Sequence, residues 1–113
     1  MSELPKSGYV PIPTFYIDKV MPSLTDAELR VLLIVMRQTL GWAAEEGGRK
    51  RRDWITQSQF REKTGKSRDS ITRAVAALVE RGLLAVENRA GKPLYDPKSR
   101  RDNRDRLYYR LTV

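Results

Sequence analysis

The 113-residue chain contains no cysteine and no histidine. Without cysteine there is no disulfide framework and no thiolate metal site, which suits a reducing compartment. Without histidine, the commonest zinc ligand and the commonest general base are missing together. The 14 acidic residues are dispersed among 22 basic ones and form no paired carboxylate motif, so neither acid–base nor metal-dependent catalysis is expected. No cofactor or metal is expected either. No apolar run approaches the roughly 18 residues that a membrane helix needs, and the N-terminus lacks a basic-then-apolar signal. A cytoplasmic protein with no membrane partner is the expectation.

What the chain has is positive charge, unevenly placed. The formal net charge is +8. Residues 1–40 sum to zero, with Lys6, Lys19, Arg30 and Arg37 balancing Glu3, Asp18, Asp26 and Glu28. The whole excess lies in residues 41–113, which points to a polyanion as partner, since each neutralised phosphate releases a condensed counterion. The length fits one domain, 1–113, with one modest core.

The strongest local signal is Thr56 to Leu84. Thr56 can cap a helix, with Gln59 completing a capping box. Gly65 can end it in the left-handed conformation. Ser67 then caps a second helix with the apolar face Ile71, Ala74, Val75 and Leu78, which Gly82 stops. Two short helices joined by a tight turn are the grammar of a helix-turn-helix. The exposed face of the second helix carries Arg68, Asp69, Thr72, Arg73 and Ala76, residues that fit a major groove. Asp69 is read as stabilising the helix N-terminus rather than as a base contact.

Around this motif the chain divides readily. Residues 1–13 form an extended arm, because Pro5, Pro11 and Pro13 disfavour helix. Thr14 is expected to cap a short helical turn over 15–21, stopped by Pro22. Thr25 and Glu28 make a capping box for a helix over 26–40, ended by Gly41. Its stripe of Leu29, Leu32, Leu33, Met36 and Leu40 is widened by Val31, Ile34 and Val35, so it is buried on more than one side. Either the arm and short helix or a second subunit, making a homodimer, would cover the second face. Residues 43–53 read as a loop whose Arg49, Lys50, Arg51 and Arg52 can clamp phosphates. Asp53 to Thr56 reads as a short strand. After the motif, 83–87 reads as a strand, and Leu107, Tyr109, Leu111 and Val113 alternate with Tyr108, Arg110 and Thr112 in a returning one. Between them, 88–106 is a long arginine-rich connection, beyond the two to five residues of a tight hairpin.

A helix-turn-helix, a strand, a basic loop and a returning strand give the expected fold: mainly α with a small antiparallel β wing, an α+β winged helix-turn-helix. Sequence-specific binding of double-stranded DNA follows. Arg68, Thr72 and Arg73 would face bases; Ser67 and Ser70 would approach phosphates, and Lys66 would meet the backbone. The wing would offer Arg89, Lys92, Lys98, Arg100, Arg101, Arg104 and Arg106 to a minor groove or to phosphates. A transcription regulator on the same fold is the close alternative, and a protein-docking winged helix the more distant one.

Val10-Pro11-Ile12-Pro13 with the short helix after it, Leu24 to Leu33, the Arg37 to Trp42 segment and the Thr56 to Leu84 motif together resemble the N-terminal domain of the bacteriophage replication protein O family and related winged-helix initiator domains of plasmids and mobile elements. The resemblance covers roughly residues 9–86. It implies binding to repeated sites in a replication origin, in the cytoplasm of a bacterial host at its nucleoid. It also implies that a separate C-terminal region, outside this chain, recruits the replication machinery. The wing departs from the family's pattern in being longer and richer in arginine.

Overall fold

The computed structural model describes residues 8–44 and 47–112. The first helical segment is irregular, a π turn over Tyr16–Val20 running into a 3-10 turn over Met21–Ser23. Two expectations are corrected here. Thr14 already lies in helical backbone and no side chain caps the π turn. Pro22 does not stop the segment but lies second in the 3-10 turn, where its missing N–H costs nothing.

Helix α1 (Asp26–Thr39) begins with both halves of its capping box made: Thr25 Oγ1 accepts from Glu28 N–H at 3.2 Å, and Glu28 Oε1 from Thr25 N–H at 3.0 Å. Val31, Leu32, Val35, Met36 and Thr39 are its buried residues. Leu33, expected in the buried stripe, is 40% exposed. One residue rotates a helix by about 100°, so position 33 turns away from the face that Leu32 and Met36 give to the core. Tyr16 and Val20 join that core, and Val10 and Ile12 rest against it. The arm and short helix thus supply a cover for α1 within one chain.

The chain next makes a hairpin rather than an open loop. Lys50 N–H donates to Trp42 O, Ala44 N–H to Gly48 O, and Ala43 bridges Arg49. Strand β1 (Asp53–Trp54) leads to α2 (Gln57–Thr64), whose Thr56–Gln59 capping box is complete. Gly65 closes α2 at φ 73°, the left-handed conformation that a glycine adopts without strain. Ser67 Oγ caps α3 (Arg68–Glu80). At its end, Gly82 N–H donates to Val79 O and Leu83 N–H to Leu78 O, a Schellman closure. Strands β2 (Leu84–Glu87) and β3 (Tyr108–Leu111) complete a three-stranded antiparallel sheet of order β1-β3-β2. Val86 stands opposite Tyr109, and Trp54 opposite Tyr108. One core unites Leu32 and Met36 with Ile55, Phe60, Ile71, Leu78, Leu84, Val86 and Tyr109; the Phe60 and Tyr109 rings meet edge to face at 5.0 Å.

The single long connection expected over 88–106 is instead three built pieces. Asn88 N–H and Lys92 O close a tight turn at 2.9 Å, and Asn88 Oδ1 accepts from Lys92 N–H. Pro93 and Leu94 then lie against the free edge of β2, with Leu94 N–H donating to Val86 O at 2.8 Å. Helix α4 (Pro97–Asp102) follows, capped by Asp96. The order helix, strand, helix, helix, strand, wing, strand is a winged-helix-like α+β fold.

Candidate nucleic-acid interface

The turn between α2 and α3 is fastened to the start of α1. Asp26 Oδ2 pairs with Lys66 Nζ at 2.5 Å and with Arg30 Nε at 3.1 Å. Arg30 Nη1 also donates to Thr64 O at 2.7 Å. The hydrogen bonds from Lys66 and then Arg30 hold the Asp26 carboxyl below its ordinary range. Lys66, expected to meet a DNA backbone freely, is thus already paired inside the domain. Its position in the turn brought it within reach of Asp26, a residue 40 positions earlier that local spacing does not reveal.

On α3 the exposed residues are Arg68, Asp69, Thr72, Arg73 and, at its C-terminal end, Glu80, with Ala76 half-buried. Arg68 and Arg73 have no partner among the described residues, and Asp69 sits in the first turn, where its charge complements the helix dipole. Ser67 and Ser70 are spent locally: Ser67 Oγ accepts from Ser70 N–H at 3.2 Å, and the two hydroxyls hydrogen-bond at 3.1 Å. The helix has two flanks. Ser70 and Arg73 lie beside Thr25, Ala27 and Glu28 at the start of α1. Arg68 and Thr72 line a groove whose far wall is Pro97, Arg100 and Arg101 of α4 and whose floor is Val75, Leu107 and Tyr109. Gln57, which sequence reasoning passed over, also borders this groove. Its Nε2 donates to Thr72 Oγ1 at 3.4 Å, and its enclosed Oε1 has no hydrogen-bond partner. Burial pushes the Tyr109 phenol up to about 12.

Along the wing, the expected cations divide into those the fold uses and those it leaves in water. Arg100 Nη1 donates to Leu94 O at 3.0 Å, and partial burial lowers its pKa. Arg89 pairs with Asp105 at 3.6 Å, Lys98 with Asp102 at 2.7 Å, and Arg106 stacks 4.1 Å from the centre of the Trp54 ring. Two wing carboxyls sit below their ordinary range, Asp96 through the Ser99 backbone N–H and Asp105 through the Arg106 backbone N–H. Lys92, Arg101 and Arg104 are exposed and have no side-chain partner among the described residues.

The basic hairpin is not four free cations. Lys50 pairs with Asp53 at 2.7 Å, and Arg49 lies 5.8 Å from the Tyr9 ring. Arg52 binds Glu87 Oε1 at 3.2 Å, donates to Asn88 O and Arg89 O, and stacks 4.2 Å from the Tyr108 ring. Arg110 holds the other Glu87 oxygen at 2.8 Å. Arg51 alone of the cluster is exposed without a partner among the described residues. The cluster borders Thr39 and Leu40 at the C-terminal end of α1, whereas α3 begins beside its N-terminal end. At about 1.5 Å per residue, α1 separates the two basic surfaces by roughly 20 Å.

Comparison with known proteins then decides the family. The sequence model of the bacteriophage replication protein O family matches residues 3–94, most of the chain. The chain belongs to that family. Membership connects it with phage DNA replication. No curated protein and no solved structure matches the chain. The family match takes in α1, α2, α3 and the edge segment at Leu94. Helix α4, with Arg100 and Arg101, lies beyond the matched span. Among the described residues no helix is long and apolar enough to cross a membrane, and no group of three or more acidic residues is placed to hold a metal ion.

Proposed function

We propose that this member of the family binds double-stranded DNA sequence-specifically, as a phage replication initiator acting at an origin, and that it does so without catalysing a reaction. The carrying observation is that the unpartnered Arg68 and Arg73 share the exposed face of α3 with Thr72, while Arg101 stands across the groove on α4. In this reading α3 enters the major groove. Arg73 and Arg68 meet guanine edges, for which arginine has two well-placed donors, and Thr72 meets a base edge or a thymine methyl. The free N–H groups of the first turn of α3 receive a phosphate, helped by the helix dipole. Lys92, Arg101 and Arg104 follow the backbone beside it. The Lys66–Asp26 pair and the Arg30 bond to the Thr64 carbonyl support this use by tying the turn before α3 to the start of α1.

Fluorescence anisotropy tests the reading, with a duplex selected by this chain from a random library, an unselected duplex and a matching single strand, each across a salt series. The selected duplex is expected to bind tightest, with log affinity falling linearly in log salt by about 0.9 per phosphate contact. Arg73→Ala is expected to cost roughly 1–3 kcal/mol on the selected duplex and to narrow its advantage over the unselected one. Equal losses on both would make Arg73 a phosphate contact. No duplex binding at low salt would end the proposal. Selected sites that recur as repeats in the phage origin support initiation; a single operator beside a promoter supports a regulator.

A further inference from the structure

Tyr95 is 77% exposed, the highest value among the chain's described large apolar side chains. Exposed tyrosines are ordinary on protein surfaces, and this one is distinguished by how its backbone is held. On one side Leu94 is buried, its N–H donates to Val86 O at 2.8 Å, and its carbonyl accepts from Arg100 Nη1 at 3.0 Å. On the other, Asp96 Oδ2 caps α4 by accepting from Ser99 N–H at 3.1 Å, and Pro97 fixes the first helical φ. Between these anchors the Tyr95 Cα is fixed, leaving two side-chain torsions to place the ring. No hydrogen bond, ring pair or cation contact within the described residues uses that ring. The fold spends a rigid mount on a side chain that contributes nothing to its own core.

We infer that Tyr95 is a wedge that enters the minor groove of bound DNA and partly unstacks one base step. This role rests on duplex binding by the domain. Tyr95 stands outside the groove between α3 and α4, but it precedes by two residues Pro97, part of the wall facing Arg68 and Thr72, and so sits on the segment beside that groove. With α3 in a major groove, the wing beside it meets the adjoining minor groove. Lys92 and Arg101, both exposed, flank Tyr95 in the chain and suit the phosphates on either side. The ring recovers in the groove the apolar area it leaves in water in the free protein, which offsets the cost of unstacking. Its hydroxyl meets the acceptors that every A·T pair presents on the groove floor. Pyrimidine–purine steps, the easiest to open, are the expected target.

The test uses the full chain and its selected duplex, with 2-aminopurine placed at successive positions across the site and its flank. Wild-type protein is expected to raise aminopurine fluorescence at one flanking step. Tyr95→Ala is expected to remove that rise and weaken binding about tenfold, with the salt slope unchanged because no charge is lost. Tyr95→Leu is expected to keep much of the rise, since a wedge acts by bulk. Both variants should unfold at the wild-type temperature, the ring being in water. Wild-type protein that binds the duplex without a rise at any position overturns the wedge and leaves duplex binding standing. So does a Tyr95→Ala variant with wild-type affinity and fluorescence. Wild-type protein that binds no duplex overturns both.

Discussion

Replacing Arg52 by alanine separates a structural brace from a phosphate clamp. The side chain makes an ion pair with Glu87, whose own side chain is only 10% exposed, and donates to the carbonyls of Asn88 and Arg89 at 3.1 and 3.0 Å. It also covers the Tyr108 ring. Each carbonyl bond is worth roughly 1 kcal/mol net and the ring contact about 0.5–1 kcal/mol. The ion pair adds less than a fully buried one, because the Arg52 side chain is 33% exposed and Arg110 still holds Glu87 in its absence. These contributions share one side chain and are not additive, so a loss of about 2–3 kcal/mol is expected. For a domain of this size that lowers the melting temperature by roughly 8–12 °C. Urea titration and thermal unfolding followed by circular dichroism measure the loss. Arg51→Ala, which removes an exposed side chain, should stay within about 0.5 kcal/mol of wild type. The structural assignment fails if Arg52→Ala is as stable as wild type and instead flattens the salt dependence of DNA binding.

Two further outcomes can be checked on the same protein. A Cβ at Gly41 would lie 2.4 Å from the Arg37 carbonyl oxygen, a backbone atom with little freedom to yield. Gly41→Ala should therefore cost about 1–3 kcal/mol in urea and disturb Trp42, which stacks 5.2 Å from the Arg37 guanidinium; wild-type stability would refute the close contact. The Tyr109 phenol, pushed up to about 12 from an ordinary value of 10.0, should make the fold sensitive to alkali. Between those values the unfolded chain has released the proton while the folded one keeps it, so stability falls as pH rises from 10 towards 12. Tyr109→Phe should remove that component, and an unchanged alkaline midpoint would refute it.

Helices α1, α2 and α3 were legible because their signals are local. Thr25 with Glu28, Thr56 with Gln59, Ser67, Gly65 and Gly82 act within one turn, and each is found in its expected role. The alternation of β3 was readable for the same reason, with Tyr109 buried. The loops were not legible, because distant residues organise them. Arg52 is fixed by Glu87 and the carbonyls beyond it, 35 to 37 positions away. Lys66 is fixed by Asp26. The basic runs therefore read as free charge when several of their members had partners. One signal was available and unused: Asp96 followed by Pro97 is a cap and first-turn pair, and it announces α4 inside a stretch dominated by arginine.

The strip formed by Pro93 and Leu94 has a consequence for how copies of this domain can meet. Sheets commonly recruit a neighbour by offering a row of unpaired amides along an outer strand. Here one border of the sheet is occupied by the chain's own return segment, with Leu94 bonded to Val86. The opposite border is β1, which runs only from Asp53 to Trp54. Little backbone is left to template another strand. Two copies of this domain that met would therefore meet through side chains, a contact that point substitutions can tune without opening a route to fibrils.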